Sequence, residues 1–270
     1  PALTRWTMYS NAGHQAWMTQ EVELGAQADG MLTALRHEIV NATALLDTHF
    51  EPSSETSKSL YACPAIMTRQ QLERVNIGLP TAMRAPVEGP GTWALESAMD
   101  ELAIALKMDP LVLRLRNNAE TDPHPGKPWS SKKLREAYED GARRYGWRAR
   151  HQRPKRDGNW VIGHGMATAT MGNFRHAGGA RVRLKDDGTA IIEAGTHDIG
   201  TGTLTVYTQI AADTLGIAPD KVSIRWGDTM LPRASPVYGS SATMTTGSAV
   251  MLAARQAKEK LAKLVPNVTD

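Results

Sequence analysis

A single cysteine, Cys63, stands in the 270 residues, so no intrachain disulfide can form. No C-x-x-C pair occurs, which excludes an iron–sulfur cluster or structural zinc held by this chain alone. The eight histidines contain no H-E-x-x-H or comparable cluster, so direct side-chain binding of a metal is not expected, and a metal would have to arrive inside a cofactor. No uninterrupted apolar run approaches the ~18 residues that span a bilayer. The start of the chain lacks the charged-then-apolar pattern of a leader. Net charge is small as well: 31 Lys+Arg against 28 Asp+Glu leaves +3, a weaker surplus than a dedicated nucleic-acid binder carries. Neither a membrane span nor a nucleic-acid partner is therefore expected.

What is present has the composition of a folded globular chain, 41% apolar and 22% charged, at a length that suits one large domain or two modest ones. Residues 20–24 and 32–40 alternate as strands around the Ala28-Asp29-Gly30 turn. A hairpin so soon after Pro1 makes a poor native N-terminus, so the ends read as cuts. Residues 47–58 are polar and helix-poor, 61–67 and 72–77 read as short strands, and 82–91 is a loop rich in Pro and Gly. A helix over 93–107 places Trp93, Ser97/Ala98, Leu102 and Ala105/Leu106 on one face. Asp109 caps a second helix that opens on Pro110 and ends near Asn117. The proline-rich segment 122–128 cannot be regular, and a third helix restarts at Ser130 or Ser131 and runs to about Tyr145.

Residues 148–156 pack five basic side chains around Pro154 and read as a solvated connector and domain boundary. Beyond it, strands are expected over 161–170, 180–184 and 189–194, with Asp186-Asp187-Gly188 as a hairpin turn. A helix over 203–215, a strand over 222–226 and a long helix over 245–264 follow, the last turning Val250, Ala253, Ala257, Leu261 and Leu264 inward. The pattern lacks strict β-α alternation, so the fold class is α+β, mixed sheets packed with helices.

Two loops carry the chemistry. The strand ending at Ala194 runs through Gly195-Thr-His-Asp-Ile-Gly200-Thr201-Gly202-Thr203 straight into a helix. That places unpaired amides and the positive helix end around small residues that an anion can approach. The third glycine of the dinucleotide fingerprint is missing, so a tight turn with threonine capping stays open as the alternative. The second loop, Ser235-Pro-Val-Tyr-Gly239-Ser240-Ser241-Ala-Thr243-Met-Thr245-Thr246-Gly247, supplies six serine and threonine hydroxyls and two glycines just before the long helix. One such loop suits ordinary capping; two suit an extended, nucleotide-like ligand with two or more phosphates. No Lys or Arg occurs between Gly195 and Leu215, so backbone and hydroxyl donors are expected to do most of the holding. On this reading, unoccupied amides of the 200s and the 240s converge on one diphosphate.

Arg84 is the third feature. Pro80, Pro86 and Pro90 stiffen its loop, so the backbone aims the guanidinium, as stabilisation of a developing oxyanion requires. Satisfying loop carbonyls, or pairing with Glu88, are the plainer alternatives. His14 reads as a hydrogen-bonded structural histidine and Cys63 as an inert core thiol.

Four motifs, Met83-Arg84-Ala-Pro-Val-Glu-Gly-Pro-Gly-Thr-Trp-Ala-Leu-Glu-Ser-Ala-Met-Asp-Glu-Leu-Ala103, Asp109-Pro-Leu-Val-Leu-Arg-Leu-Arg-Asn117, the Gly195 to Thr203 loop, and Gly239-Ser-Ser followed by Thr245-Thr-Gly-Ser-Ala-Val250, occur in that order. Together they closely resemble the molybdopterin-binding large subunit of the xanthine dehydrogenase and aldehyde oxidase family, nearest its bacterial aldehyde-oxidising branch. The resemblance implies molybdenum-cofactor-binding domains: part of a first over 1–125, a helix and basic linker over 126–158, and part of a second over 159–270. It implies molybdopterin cytosine dinucleotide held through Gly200, Thr201, Gly202, Thr203, Gly239, Ser240, Ser241 and Thr243, with the metal on the pterin's sulfurs. Arg84 matches the family's active-site arginine, which would stabilise negative charge on the substrate oxygen.

The implied reaction oxidises a small aldehyde, or alternatively a heterocycle, with water as the oxygen source. Electrons would leave through a [2Fe-2S] subunit to an FAD-binding subunit of a heterotrimer. The implied compartment is the cytoplasm, with the periplasm as the alternative. Three departures qualify this. The family's general-base glutamate has no counterpart, since the last glutamate is Glu259 among lysines. The glycine-rich loop of the N-terminal side would precede Pro1. Residues 51–60 lack the arginine with which the purine-oxidising branch orients substrate. A middle segment, inactive alone and not directed at purines, is the reading these imply. The alternatives are a non-catalytic cofactor-binding or subunit-assembly module, and a phosphate-binding α/β domain.

Overall fold

A computed structural model describes residues 3–123, 126–152, 155–172 and 174–264. Its contacts divide the chain into two units, Pro1–Met171 and Gly172–Asp270, each a mixture of helices and sheet. Among the described residues no helix is long and apolar enough to cross a membrane.

In the first unit, Thr4 caps α1 (Arg5–Asn11) by accepting from the Thr7 amide at 3.1 Å; the helix buries none of its residues. β1 (Met18–Ala26) runs antiparallel to β2 (Leu32–Ala44). After α2 (Ser57–Leu60), β3 (Ile66–Val75) lies parallel to β2, giving the order β1-β2-β3. The two short strands expected over 61–77 are thus one, because the polar run at 68–71 continues the alternation, while Tyr61 forms only an isolated bridge to Asn118.

α3 (Glu88–Ala105) starts before Trp93, since Pro90 falls in the first turn, where a missing amide costs nothing. Its buried seam is Leu95, Met99 and Ala103, and Trp93 is 72% exposed, so the expected face was wrong. The reason is Gly91: a Cβ there would lie 2.0 Å from the Ser53 carbonyl oxygen, so the backbone itself presses on that turn and sets the helix's rotation. Asp109 caps α4 (Pro110–Arg116) as expected, accepting from the Leu111 amide at 2.8 Å. The seam of α3 packs with Leu32, Leu35, Leu60, Tyr61 and Leu113 to form this unit's core.

α5 (Leu134–Tyr145) begins a few residues later than expected and stops at left-handed Gly146. The basic connector is partly docked, with Arg150 paired to Asp109 at 2.8 Å and stacked 3.9 Å over the Trp147 ring. Arg153 and Pro154, like His124 and Pro125 of the proline-rich segment, lie outside the described residues. β4 (Arg156–Asp157) and β5 (Trp160–Val161) pair as a small hairpin. The strand expected over 161–170 ends at Val161, where Gly163 and Gly165 leave the chain little side chain to pack.

In the second unit, β6 (Arg181–Leu184) is antiparallel to β7 (Ala190–Glu193). α6 (Thr203–Leu215) then crosses to β8 (Val222–Arg225), which lies parallel to β7. A π-helical turn over Thr243–Gly247 leads into α7 (Ser248–Leu264). Ala190, Ile192, Tyr207, Ala211, Ala212, Val222 and Val250 form the core. Leu261 and Leu264 of α7 are exposed instead of inward, because the sheet's four-residue strands are too short to cover a 17-residue helix.

Candidate functional site

The parallel pairing of β7 and β8 decides where the two donor-rich loops go. Each follows the C-terminal end of one of two neighbouring parallel strands, so both emerge at the same edge of the sheet, the edge where open α/β sheets take their ligands. Gly195 and His197 of the first loop, Ser235 and Tyr238 of the second, and His176 and Arg233 line one cavity of about 570 Å³. The segments are tied together: the Gly195 amide donates to the Pro232 carbonyl at 2.8 Å, and the Tyr207 hydroxyl to the Ala242 carbonyl at 3.1 Å.

The amides are not equally open. The Asp198 carboxylate accepts from the Gly200 amide at 2.8 Å and the Thr201 amide at 3.0 Å. The Gly200 amide foremost, with those of Leu204, Thr201 and Gly202, holds this carboxyl below its ordinary range. The expected unoccupied amides of the 200s are therefore taken from within. The cause is local, since an aspartate two residues before a turn residue closes the turn on its own side chain. Thr201 and Thr203 share a hydrogen bond of 3.0 Å between their hydroxyls, and Gly202 supplies the left-handed position (φ 76°) from which α6 starts.

The second loop differs. Gly239 (φ 58°) and Ser240 (φ 57°) are consecutive left-handed residues, and among the described residues neither amide donates a hydrogen bond. Successive free amides in such a turn make a concavity for an anion. Only glycine fits at 239, where a Cβ would also lie 2.8 Å from the Phe174 ring. Ser241 is fully buried, its hydroxyl shared between the Pro236 carbonyl at 2.7 Å and the Tyr238 carbonyl at 2.8 Å, so it shapes the loop. Thr243 is exposed at the start of the π-helical turn. Thr246 accepts from the Ser235 amide at 2.9 Å, and Thr245 from the His176 amide at 3.2 Å.

Three side chains in the cavity wall escaped the sequence: His176, His197 and Arg233. Arg233 makes no side-chain hydrogen bond or ion pair among the described residues. The signal was available, because Pro232 and Pro236 flank Arg233 much as prolines flank Arg84. The His176 and Tyr238 rings lie 6.4 Å apart, centroid to centroid.

In the first unit, Arg84 is exposed and unpaired among the described residues, and Glu88 sits in the first turn of α3 without bonding to it. The next residue, Ala85, holds φ at 52°, a left-handed conformation that carries a cost for a residue with a Cβ and persists where the surroundings over-determine it. His14 bonds through Nδ1 to the Gln15 carbonyl at 2.8 Å. Cys63 is half-buried, and burial pushes its thiol pKa up. Among the described residues no group of three or more His, Cys, Asp or Glu side chains gathers to hold a metal.

Residues 2–118 and 140–269 each match a molybdopterin cofactor-binding domain. The aldehyde oxidoreductase molybdenum-binding subunit PaoC of Escherichia coli K12 is 35% identical over 266 residues, covering 97% of this chain and 36% of its own length. The xanthine dehydrogenase molybdenum-binding subunit of Escherichia coli O157:H7 is 29% identical over 258 residues, covering 90% of this chain and 34% of its own. Quinoline 2-oxidoreductase from Pseudomonas putida 86 shares the fold, with a TM-score of 0.76 at 19% identity over 92% of this chain and 35% of its own. Spanning about a third of the length of these relatives, the chain belongs to the molybdopterin-binding large subunits of the xanthine dehydrogenase and aldehyde oxidase family.

Proposed function

We propose that the subunit from which this segment comes oxidises small aldehydes to carboxylic acids with water as the oxygen source, and takes its molybdopterin in the cytosine dinucleotide form. The observation that carries this reading is the single cavity to which both donor-rich loops contribute. The residues present fit a diphosphate-bearing group: free amides at Gly239 and Ser240, an unpaired Arg233, and exposed hydroxyls at Ser240 and Thr243. Gly200, Thr201, Gly202 and Thr203, like Gly239, Ser240, Ser241 and Thr243, are not among the residues that line the cavity; they would meet the group beyond it, and Ser241 would hold the shape of its own loop. When bound, the molybdopterin group supplies two-electron redox chemistry at its metal. Arg84 would hold negative charge on the substrate's carbonyl oxygen, from a loop whose backbone is already fixed.

Aldehydes are favoured by the 35% identity to PaoC, and purines are disfavoured by the absence of arginine over 51–60. The relatives' names are those of oxidoreductases, which weighs against a non-catalytic module. A [2Fe-2S] subunit and an FAD-binding subunit are the proposed electron acceptors, in a heterotrimer, a reading supported by the relatives' names as molybdenum-binding subunits. The proposed compartment is the cytoplasm, with the periplasm as the alternative. The proposed division is two cofactor-binding domains over 1–125 and 159–270 with a linker over 126–158; the contacts part later, at 171/172.

The test is turnover by the purified parent enzyme carrying Arg84→Ala. With an aldehyde substrate, kcat should fall by about two to three orders of magnitude, the scale of losing one oxyanion donor, while cofactor content stays constant. A parent enzyme that turns over purines and no aldehydes would contradict the substrate class. An unchanged kcat in the variant would return Arg84 to a structural role.

A further inference from the structure

We propose that Arg233 is the side-chain cation that clamps the diphosphate of the bound dinucleotide, an inference that rests on the dinucleotide reading above and adds a residue to it. The first step is electrostatic. The loop over 198–203 brings a fixed carboxylate, Asp198, which already engages the amides of Gly200 and Thr201. A diphosphate entering beside that loop meets a negative charge where bare amides would have attracted it, and the free amides of Gly239 and Ser240 have to be supplemented. Among the cavity-lining residues Arg233 alone is a Lys or Arg. It has no carboxylate to satisfy it among the described residues, so its charge is available to a ligand.

The second step is preorganisation. The Gly179 amide donates to the Arg233 carbonyl at 2.7 Å and the Gly195 amide to the Pro232 carbonyl at 2.8 Å. The Ser235 amide donates to Thr246 Oγ1 at 2.9 Å. Residues 232–235 are thus pinned from three directions, and only the guanidinium is left to adjust. A planar fork of donors on a fixed backbone matches two oxygens of a phosphate pair in a way that an ammonium does not. His176 and His197 line the same cavity.

The experiment compares the full parent subunit with its Arg233→Gln, Arg233→Lys and Arg255→Gln variants. Arg255 lies exposed on α7 outside the cavity and controls for loss of one charge. Inorganic pyrophosphate binding to cofactor-depleted protein is measured by calorimetry, and nucleotide released on denaturation is counted for each preparation as isolated. R233Q should bind pyrophosphate about ten- to a hundredfold more weakly than the parent, the range for losing a charge-assisted contact, with R233K between them and R255Q unchanged. R233Q should also retain less nucleotide. Equal pyrophosphate affinity in R233Q and R255Q, with nucleotide present in the parent, would overturn the role of Arg233 and leave the dinucleotide reading standing. A parent that neither binds pyrophosphate nor yields nucleotide would overturn both. Should R233Q fail to fold, the comparison rests on R233K, whose affinity must fall below that of R255Q.

Discussion

His37 lies wholly buried on β2, with Nε2 3.1 Å from Gln20 Oε1 and Nδ1 2.7 Å from Ser57 Oγ. The Gln20 amide nitrogen donates to the Pro90 carbonyl at 3.1 Å, which turns its oxygen toward the ring. Nε2 therefore carries the proton and Nδ1 accepts from Ser57, a neutral imidazole with both nitrogens satisfied. Burial pushes its pKa down from 6.5 to about 4. As pH falls below about 6.5 the unfolded chain takes up this proton and the folded chain does not. Stability present above 6.5 is consequently lost down to about pH 4, by roughly 3 kcal/mol. Thermal unfolding of the parent between pH 7 and 4 should show a fall in Tm that His37→Gln flattens. An identical pH slope in the two proteins would rule out this origin.

Residues of this kind were only partly legible. Asp109 announced itself by the proline that follows it. His37 depends on Gln20 and Ser57, partners far away in sequence that no spacing rule reaches, whereas Arg233 is marked only by the prolines around it. Asp198 lay between, because its bond to Gly200 is local and the Asp-x-Gly order could have been read as a closed turn.

At the level of elements, α3 is held by one buried carboxylate. Glu96 Oε2 accepts from Arg114 Nε and from the Thr168 amide, each at 2.8 Å, while Oε1 accepts from the Tyr61 hydroxyl. Arg114 reaches on to Asp100 at 2.8 Å. Burial foremost, with Glu96 alongside, pushes the Tyr61 hydroxyl pKa up, so it serves as a donor throughout the accessible range. Removing one partner of such a pair strands the other's charge. Arg114→Met should cost about 3–5 kcal/mol in urea unfolding of the parent, and adding Glu96→Gln to it should restore part of the loss. Strictly additive losses would show that the two side chains do not act as a pair.

Elements whose ends are marked by their own residues were legible: α4 by Asp109 and Pro110, and α6 by the glycines at 202 and 216 on either side of it. The buried face of α3 was not, because the Ser53 carbonyl that fixes it belongs to a different stretch of chain. The same holds for α7, whose apolar positions exceed the sheet available to cover them.

Across the whole molecule, the α+β class was legible from the order of elements, and the donor-rich character of the two loops from their residues. The parallel pairing of β7 with β8, connected through α6, brings those loops to the same edge, and nothing local in either four-residue strand announces it. The charge of the first loop also differs from the expectation, because the Asp198 carboxylate occupies the amides of Gly200 and Thr201.

The claim on which the functional reading depends is that a diphosphate sits between these loops, and its most direct measurement is the content of the purified parent subunit after acid denaturation. CMP and molybdenum should be released in equal amounts. An active preparation that yields molybdenum without any nucleotide, or neither, would contradict it.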